Sequence, residues 1–150
     1  MCMRAIVVYD TQYGNTEMIA RAIGEAIEGE VRVLRAGGFS PSELERPDLL
    51  IVGSPTHGGR PTPEIQEFIK DAPAALLEGT EVAAFDTRGA AMFVRIFGYA
   101  ATRIADSLKK RGGKLVAPPE GFIVEGTKGP LRDGETERAA AWAKEISKGE

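Results

Sequence analysis

The sequence predicts an α/β protein in which helices cover both faces of a parallel β-sheet. Short apolar runs at residues 5–9, 49–52 and 82–85 end in polar residues, which is typical of strands buried on both faces. Segments with apolar residues at helical spacing separate these runs, and parallel strands need such crossover connections. The chain has 150 residues and no low-complexity linker, so we expect a single domain over residues 1–150.

The first half of the chain predicts a strand, a helix and two further strands. Residues 5–9 form the central strand. The helix begins at Glu17 and ends at Gly29. Residues 31–34 alternate in polarity, which favours an edge strand, and residues 37–47 indicate a loop with one helical turn. The apolar stripe of the helix consists of Met18, Ile19, Ala22, Ile23, Ala26 and Ile27.

The second half continues the alternation of helices and strands. Residues 61–72 predict a helix, and a further helix begins at Ala100 and ends at Gly112. The fifth strand comprises residues 115–117 and 122–124 and is interrupted by two prolines, which cannot donate to the hydrogen-bond ladder. Residues between Ala90 and Tyr99 show no clear pattern. The last helix carries Ala139, Trp142, Ala143 and Ile146 at helical spacing, and we expect Trp142 to belong to the core.

Composition excludes several classes of function. A formal net charge of -3 argues against a general nucleic-acid binder, which usually carries a basic excess. No apolar run approaches the length of a membrane span and no signal peptide is visible, so we expect a cytoplasmic protein. Cys2 is the single cysteine and His57 the single histidine. A single cysteine excludes an internal disulfide and a cysteine metal cluster. No Ser-His-Asp or Cys-His catalytic group and no plausible metal shell emerges from the sequence.

The loop after the first strand has the composition of an anion-binding loop. Hydroxyls of Thr11 and Thr16, amides of Gln12 and Asn15 and a flexible Gly14 precede a helix N-terminus, where free N–H groups favour negative charge. The loop contains no lysine. A phosphate binder made of neutral donors suits permanent holding of a cofactor better than turnover of a nucleotide.

Two other polar loops follow apolar strands. Residues 53–59 follow the third strand with the sequence Gly-Ser-Pro-Thr-His-Gly-Gly, and residues 86–89 follow the fourth. The carboxyl ends of parallel strands meet at one edge of the sheet, and ligands of such sheets bind there. We therefore expect the three loops to form one site.

The two longer loops resemble those of the flavodoxin family. Residues 11–16 are similar to its hydroxyl-rich phosphate loop, and residues 53–59 stand where its second cofactor loop is expected. The resemblance implies a doubly wound three-layer sandwich with strand order 2-1-3-4-5 and FMN as cofactor. Thr11, Gln12, Tyr13, Gly14, Asn15 and Thr16 would then hold the phosphate. The isoalloxazine ring would lie between residues 55–59 and 87–97, which include Pro55, Thr56, His57, Gly58, Gly59, Thr87, Arg88 and Gly89.

Parts of the second and third loops depart from the pattern of flavodoxin electron carriers. His57 stands where an aromatic residue is expected, and the region of the third loop contains Arg88, Arg95 and Arg103 instead of a cluster of acids. Phe93, Phe97 and Tyr99 supply its aromatic residues. The arginines either place positive charge near the flavin, which would stabilise its anionic reduced form, or lie solvated on a helix face.

Three functions remain open at this point. The first, which we favour, is an FMN electron carrier between a reductase and an acceptor protein. The second is an FMN-dependent oxidoreductase acting on a quinone-like or protoporphyrinogen-like molecule, and the third is a flavin-free binding module of the same fold. We expect no nucleic-acid partner and either a monomer or a dimer.

Overall fold

The computed structural model describes residues 3–90 and 99–148. The strands are β1 (Met3–Tyr9), β2 (Gly29–Arg35), β3 (Leu49–Pro55), β4 (Glu81–Gly89), β5 (Lys114–Leu115) and β6 (Glu120–Val124). In chain order, the helices of the described residues are α1 (Asn15–Ala26), α2 (Pro63–Asp71), α3 (Ala74–Leu77), α4 (Ala100–Lys110) and α5 (Glu135–Ser147), with a 3₁₀ turn at Pro41–Glu43. None of these helices is long and apolar enough to cross a membrane.

The sheet is parallel throughout, with β2 at one edge and the order β2-β1-β3-β4. The fifth position is shared by two short strands, because β5 pairs with the start of β4 and β6 with its end. Pro118 and Pro119 lie between them. The predicted order 2-1-3-4-5 is confirmed, and so is the interruption of the fifth strand.

Some boundaries differ from those predicted. Strands β3 and β4 extend through polar residues, because their ladder continues to the pair Pro55 and Thr87. Strand β4 then continues to Gly89 because it pairs there with β6. Helix α1 ends at Ala26, since Ile27 is already extended, and Gly29 opens β2 instead of ending the helix. The four-residue α3 is too short to show a periodicity. The unassigned region before Tyr99 lies mostly outside the described residues.

Alternate residues of the strands face two separate cores. One core packs against α2, α3 and α4, and the other against α1 and α5. As predicted, Trp142 belongs to the second core, where its ring meets those of Phe85 and Phe122 edge to face with both centroids 6.2 Å away. Strand residues of the first core include Ile6, Val8, Leu50, Val52, Val82 and Ala84, and those of the second include Ala5, Val7, Leu49, Ile51, Ala83 and Phe85.

Gly53 permits close packing beside the site. It pairs with Phe85 across β3 and β4, and a Cβ at this position would overlap the fully buried Phe85 ring. The Phe85 ring is itself enclosed by Phe122 and Trp142, so it has little space into which to move. A side chain at position 53 would therefore disturb the second core.

We expect Gly53→Ala to destabilise the protein by about 1–3 kcal/mol, the usual range for overpacking a filled core. Urea unfolding measures the change. Gly89→Ala is the matched control, because a Cβ there meets no atom of residues 3–90 and 99–148 within 4 Å and its φ is not positive. Equal free energies of unfolding for the two variants would contradict the packing argument.

The buried Glu135 joins α5 to the sheet. Its carboxylate accepts a hydrogen bond from the Ile123 N–H at 2.6 Å and is held by Arg138 at 2.8 Å. The Arg138 hydrogen bond lowers the pKa of Glu135, and the Ile123 N–H adds to this effect, while burial opposes it. The ionised carboxylate thus stabilises the folded chain.

We expect Glu135→Gln to lower the free energy of unfolding at pH 7 by about 1.5–3 kcal/mol, the value of hydrogen bonds to a charged group. The folded pKa lies below the unfolded one, so this contribution is present above the unfolded pKa and is lost as pH falls through the folded pKa. Urea unfolding should therefore show wild type and variant converging in acid. Exposed Glu137 is in the same helical turn, and Glu137→Gln should have little effect at either pH. A pH-independent difference for Glu135→Gln would refute the ionic explanation.

Candidate functional site

The register of the sheet brings the three predicted loops together. Tyr9 pairs with Gly53 and Gly53 with Phe85, so β1, β3 and β4 reach the same edge side by side. Backbone bonds extend this alignment into the loops, from the Asp10 N–H to the Gly53 carbonyl at 3.2 Å and from the Thr56 N–H to the Thr87 carbonyl at 2.9 Å.

A cleft of about 470 Å³ opens at this edge. Of the residues predicted to bind the cofactor, all line it except Gly14, Gly58 and Gly59. Ala90, within the predicted range 87–97, also lines it, and so do residues 124–127, which no motif of the sequence predicts. The lining comprises Thr11, Gln12, Tyr13, Asn15, Thr16, Pro55, Thr56, His57, Thr87, Arg88, Gly89, Ala90, Val124, Glu125, Gly126 and Thr127.

The first loop is held open by its own hydrogen bonds. Gly14 caps α1 with a φ of +95°, a conformation that glycine adopts without strain. The Thr11 hydroxyl accepts from the Gly14 N–H at 2.8 Å, and the Asp10 carboxylate accepts from the Thr11 N–H at 2.9 Å. Asp10 therefore anchors its turn. The first N–H groups of α1 lack helical acceptors and adjoin the cleft.

Arg35, at the end of β2, braces this loop from behind. Its Nη2 donates to the Thr11 carbonyl at 2.8 Å, and its Nε lies 3.5 Å from Asp10 Oδ1. Arg35 does not line the 470 Å³ cleft. No local sequence pattern indicates this contact, because β2 and the loop become neighbours only when the sheet forms.

Two buried hydroxyls meet at the base of the cleft. Thr16, in the first turn of α1, and Thr87, near the end of β4, are 1% and 4% exposed. Their Oγ1 atoms lie 2.8 Å apart, so either hydroxyl can donate to the other. This contact joins the first and third loops through neutral polar groups.

The second loop closes in a tight turn. The N–H groups of His57 and Arg60 each donate to the other residue's carbonyl, at 2.8 and 3.0 Å. Gly58 and Gly59 occupy the turn with φ of +58° and +80°, which glycine adopts without strain. His57 is exposed beside the cleft. The Arg103 Nε donates to the Gly59 carbonyl at 2.8 Å and ties this turn to α4.

The segment after β6 forms an additional wall. Val124 bridges to Leu131, and between them the chain returns to the first loop, where Asn15 Nδ2 donates to the Lys128 carbonyl at 3.1 Å. The Lys128 ammonium lies 5.8 Å from the centre of the Tyr13 ring. Beyond completing the fifth strand, this part of the chain thus lines the cleft.

Arg88 is not a solvated surface arginine. Its guanidinium makes two hydrogen bonds, of 2.7 and 2.8 Å, to the fully buried carboxylate of Asp86. The guanidinium also lies over the Tyr99 ring, 3.4 Å from its centre. Burial raises the pKa of Asp86, while hydrogen bonds from Arg88, the Ala101 N–H and Thr56 oppose the rise. Of the other residues expected around the flavin, Phe93, Arg95 and Phe97 lie outside the described residues.

These features suit a cofactor that carries a phosphate and a flat ring. The loop at the N-terminus of α1 offers neutral donors and backbone N–H groups, which is the chemistry that holds a phosphate. The cleft volume is within the usual range for small-molecule sites. The residues present therefore fit a flavin mononucleotide, and the fold and cleft define a doubly wound protein that holds a nucleotide-like cofactor at the carboxyl edge of its sheet.

The chain belongs to the flavodoxin family. The family's sequence model, described as "Flavodoxin", matches residues 7–142. A flavodoxin of Aquifex aeolicus is 31% identical over 93 residues, a match that covers 57% of this chain and 50% of that protein. The chain therefore aligns with only about half of this curated relative. FMN is the cofactor of the family.

Solved structures agree with this assignment. A flavodoxin from the domain Archaea superimposes with a TM-score of 0.81 and 26% identity, covering 97% of both chains. Flavodoxin 1 of Bacillus cereus gives a TM-score of 0.79 at 20% identity, covering 98% of this chain and 99% of that one. The rubredoxin oxygen:oxidoreductase of Desulfovibrio gigas gives 0.75 at 21% identity, and the match covers 97% of this chain but 35% of that protein. The last two comparisons show the common fold.

Proposed function

We propose that this chain is an FMN-binding electron carrier that passes electrons between protein partners. The observation that carries the proposal is the cleft at the carboxyl edge of the sheet, whose first loop offers a phosphate only neutral side chains and backbone N–H groups. Such a site suits a permanently bound cofactor. FMN, when bound, supplies the electron chemistry, and the protein supplies binding, orientation and electrostatics.

Residues of the three loops take distinct roles in this proposal. Residues 11–16 hold the phosphate, with the N-terminus of α1 adding its dipole. Pro55, Thr56 and the His57 turn flank one side of the ring, and residues 87–89 flank the other. Residues 124–127 enclose the cleft from the side of β6. We propose the whole chain, residues 1–150, as one FMN domain.

The charged side chains of the cleft favour a carrier over an enzyme. Arg88 is bound to Asp86, and Glu125 forms an ion pair with Arg132 at 3.1 Å, so both are already engaged. Within residues 3–90 and 99–148, no group of acidic, histidine or cysteine side chains is arranged to hold a metal. We propose that the two ion pairs, Arg88 with Asp86 and Glu125 with Arg132, help to build the cleft. We assign neither pair to proton transfer with a substrate.

One observation supports an FMN-dependent oxidoreductase as the second candidate. Arg88 places a cation on the cleft wall, and positive charge beside a flavin stabilises its two-electron reduced form. A quinone-like acceptor would take both electrons. The two candidates differ in whether a small molecule can exchange electrons with the bound flavin directly.

The first experiment is a visible spectrum of the purified protein loaded with FMN, followed by mixing with reductants. We expect a bound-flavin spectrum, little direct reduction by NAD(P)H, and rapid reduction once a flavodoxin reductase protein is added. Turnover of NAD(P)H with a quinone by the isolated protein would replace the carrier with the oxidoreductase. A colourless protein that ignores added FMN would refute both.

The second experiment tests the phosphate end of the site. We expect Thr16→Val to weaken FMN binding by about 5- to 30-fold, because a buried hydroxyl in the first turn of α1, at the phosphate end of the proposed site, is lost. Riboflavin lacks the phosphate, so its affinity should change much less. Quenching of flavin fluorescence measures both affinities. Thr102→Val, on an exposed part of α4, is the control and should bind like wild type. Equal losses for FMN and riboflavin would place Thr16 away from the phosphate.

A further inference from the structure

The described residues contain a buried ion pair where β4 meets the cleft. Asp86 and Arg88 are two apart on one strand, so their side chains extend from the same face of the sheet. The Asp86 side chain is 0% exposed and that of Arg88 is 17% exposed. Arg88 lines the cleft and Asp86 does not. The pair is therefore oriented, with its positive end toward the cleft and its negative end in the interior.

Asp86 is held from more than one side. Besides Arg88, its carboxylate accepts from the Ala101 N–H, in the first turn of α4, at 2.9 Å. Thr56, in the second loop, also acts to lower the pKa of Asp86. A buried carboxylate is expensive unless it is paired and hydrogen-bonded, and Asp86 satisfies both conditions. Its position is thereby fixed relative to the loops that surround the cleft.

The Arg88 guanidinium is equally confined. One face lies over the Tyr99 ring, the contact that gives a cation–π attraction. On its Gly121 side there is no room for a side chain, because a Cβ on Gly121 would overlap the guanidinium. The Gly121 carbonyl accepts from Arg138, which positions this part of β6. The Arg88 guanidinium is thus fixed by two hydrogen bonds to Asp86, by the Tyr99 ring on one face and by the backbone of Gly121.

Other charged groups in or near the described cleft are differently placed. Glu125 is exposed and paired with Arg132, and Arg103 is bound to the Gly59 carbonyl. Arg35 lies behind the first loop, where it contacts Asp10. His57 is exposed at the rim. Arg88 is the lining cation that is both largely shielded from water and held rigid.

We propose that Asp86 is a positioning and charge-compensating residue that sets, through Arg88, the reduction potential of bound FMN. Two electrons from a chemical reductant and one proton from water convert oxidised flavin to its anionic reduced form and add one negative charge to the ring. The fixed guanidinium stabilises that charge, and Asp86 limits the effect by cancelling part of the guanidinium's field. The reduction potential of bound FMN is therefore lower than it would be with Arg88 alone and higher than it would be with Asp86 alone.

The inference rests on the FMN site of the proposed function but not on the choice between carrier and enzyme. The experiment therefore uses the FMN-loaded chain, dithionite as reductant and reference dyes, with no partner protein or substrate. Binding of oxidised FMN to wild type is measured first. If wild type does not bind FMN, the proposed FMN site is wrong. If it does bind FMN, the measured reduction potentials decide the role of the ion pair.

The decisive variants are Asp86→Asn and Arg88→Met, which should shift the potential in opposite directions. Asp86→Asn leaves the cation uncompensated and favours reduced FMN, while Arg88→Met removes the cation and favours oxidised FMN. We expect each to change the ratio of the dissociation constants for oxidised and reduced FMN by about tenfold, or about 30 mV for a two-electron couple. The reduction potential of the double variant should lie between the potentials of the two single variants.

Two further measurements separate charge from folding. Arg88→Lys keeps the charge but not the paired hydrogen bonds, so its potential should be nearer wild type than that of Arg88→Met, even if its stability falls. Arg4 and Glu45 form an ion pair of 3.0 Å at the opposite end of the sheet. Arg4→Met and Glu45→Gln should leave the potential unchanged. Both cleft variants shifting in one direction, or neither shifting, would reduce the pair to a structural contact and overturn the proposal.

Discussion

The parallel hydrogen-bonded alignment of β1, β3 and β4 is the constraint on which the site depends. Because Tyr9, Gly53 and Phe85 stand in register, the loops that follow these strands begin at the same height. The alignment needs β3 and β4 to pack closely over the Phe85 ring, and Gly53 leaves the space for that. A constraint in the apolar core is thus coupled directly to the geometry of the polar edge.

The distribution of charge follows from the same architecture. The cation nearest the first loop, Arg35, is turned toward backbone and Asp10, which leaves the loop itself neutral. The cation on the opposite wall, Arg88, is balanced by a carboxylate in the interior. The described part of the cleft therefore presents polarity with little uncompensated charge. Such a cleft can hold a phosphate at the first loop. At the other end, the balance of charge between Arg88 and Asp86 can set how easily a flavin ring is reduced.

A structural feature can be predicted from the sequence when the residues that form it are close together in the chain. Contacts between residues far apart in the chain cannot be predicted in this way. The order of the strands and of the longer described helices follows from local patterns of apolar and polar residues, and this prediction holds although several boundaries shift. The wall after β6 depends on Asn15 meeting Lys128, more than a hundred positions away, so no local pattern reports it. The pair Asp86 and Arg88 is an intermediate case. Their spacing shows that they share a face, but the Tyr99 and Gly121 contacts that fix the guanidinium come from other elements.

The division of the fifth strand also bears on how this fold can diversify. Strand β5 ends at Leu115 and β6 begins at Glu120, and between them Val116 and Pro118 are exposed. The central residues of β4, Ala83 and Ala84, pair with β3 but have no partner in β5 or β6. Extra residues inserted at this gap would emerge at the surface and break no strand pairing. The gap is thus a point where the length of the chain can change while the sheet and the cleft at its carboxyl edge are retained.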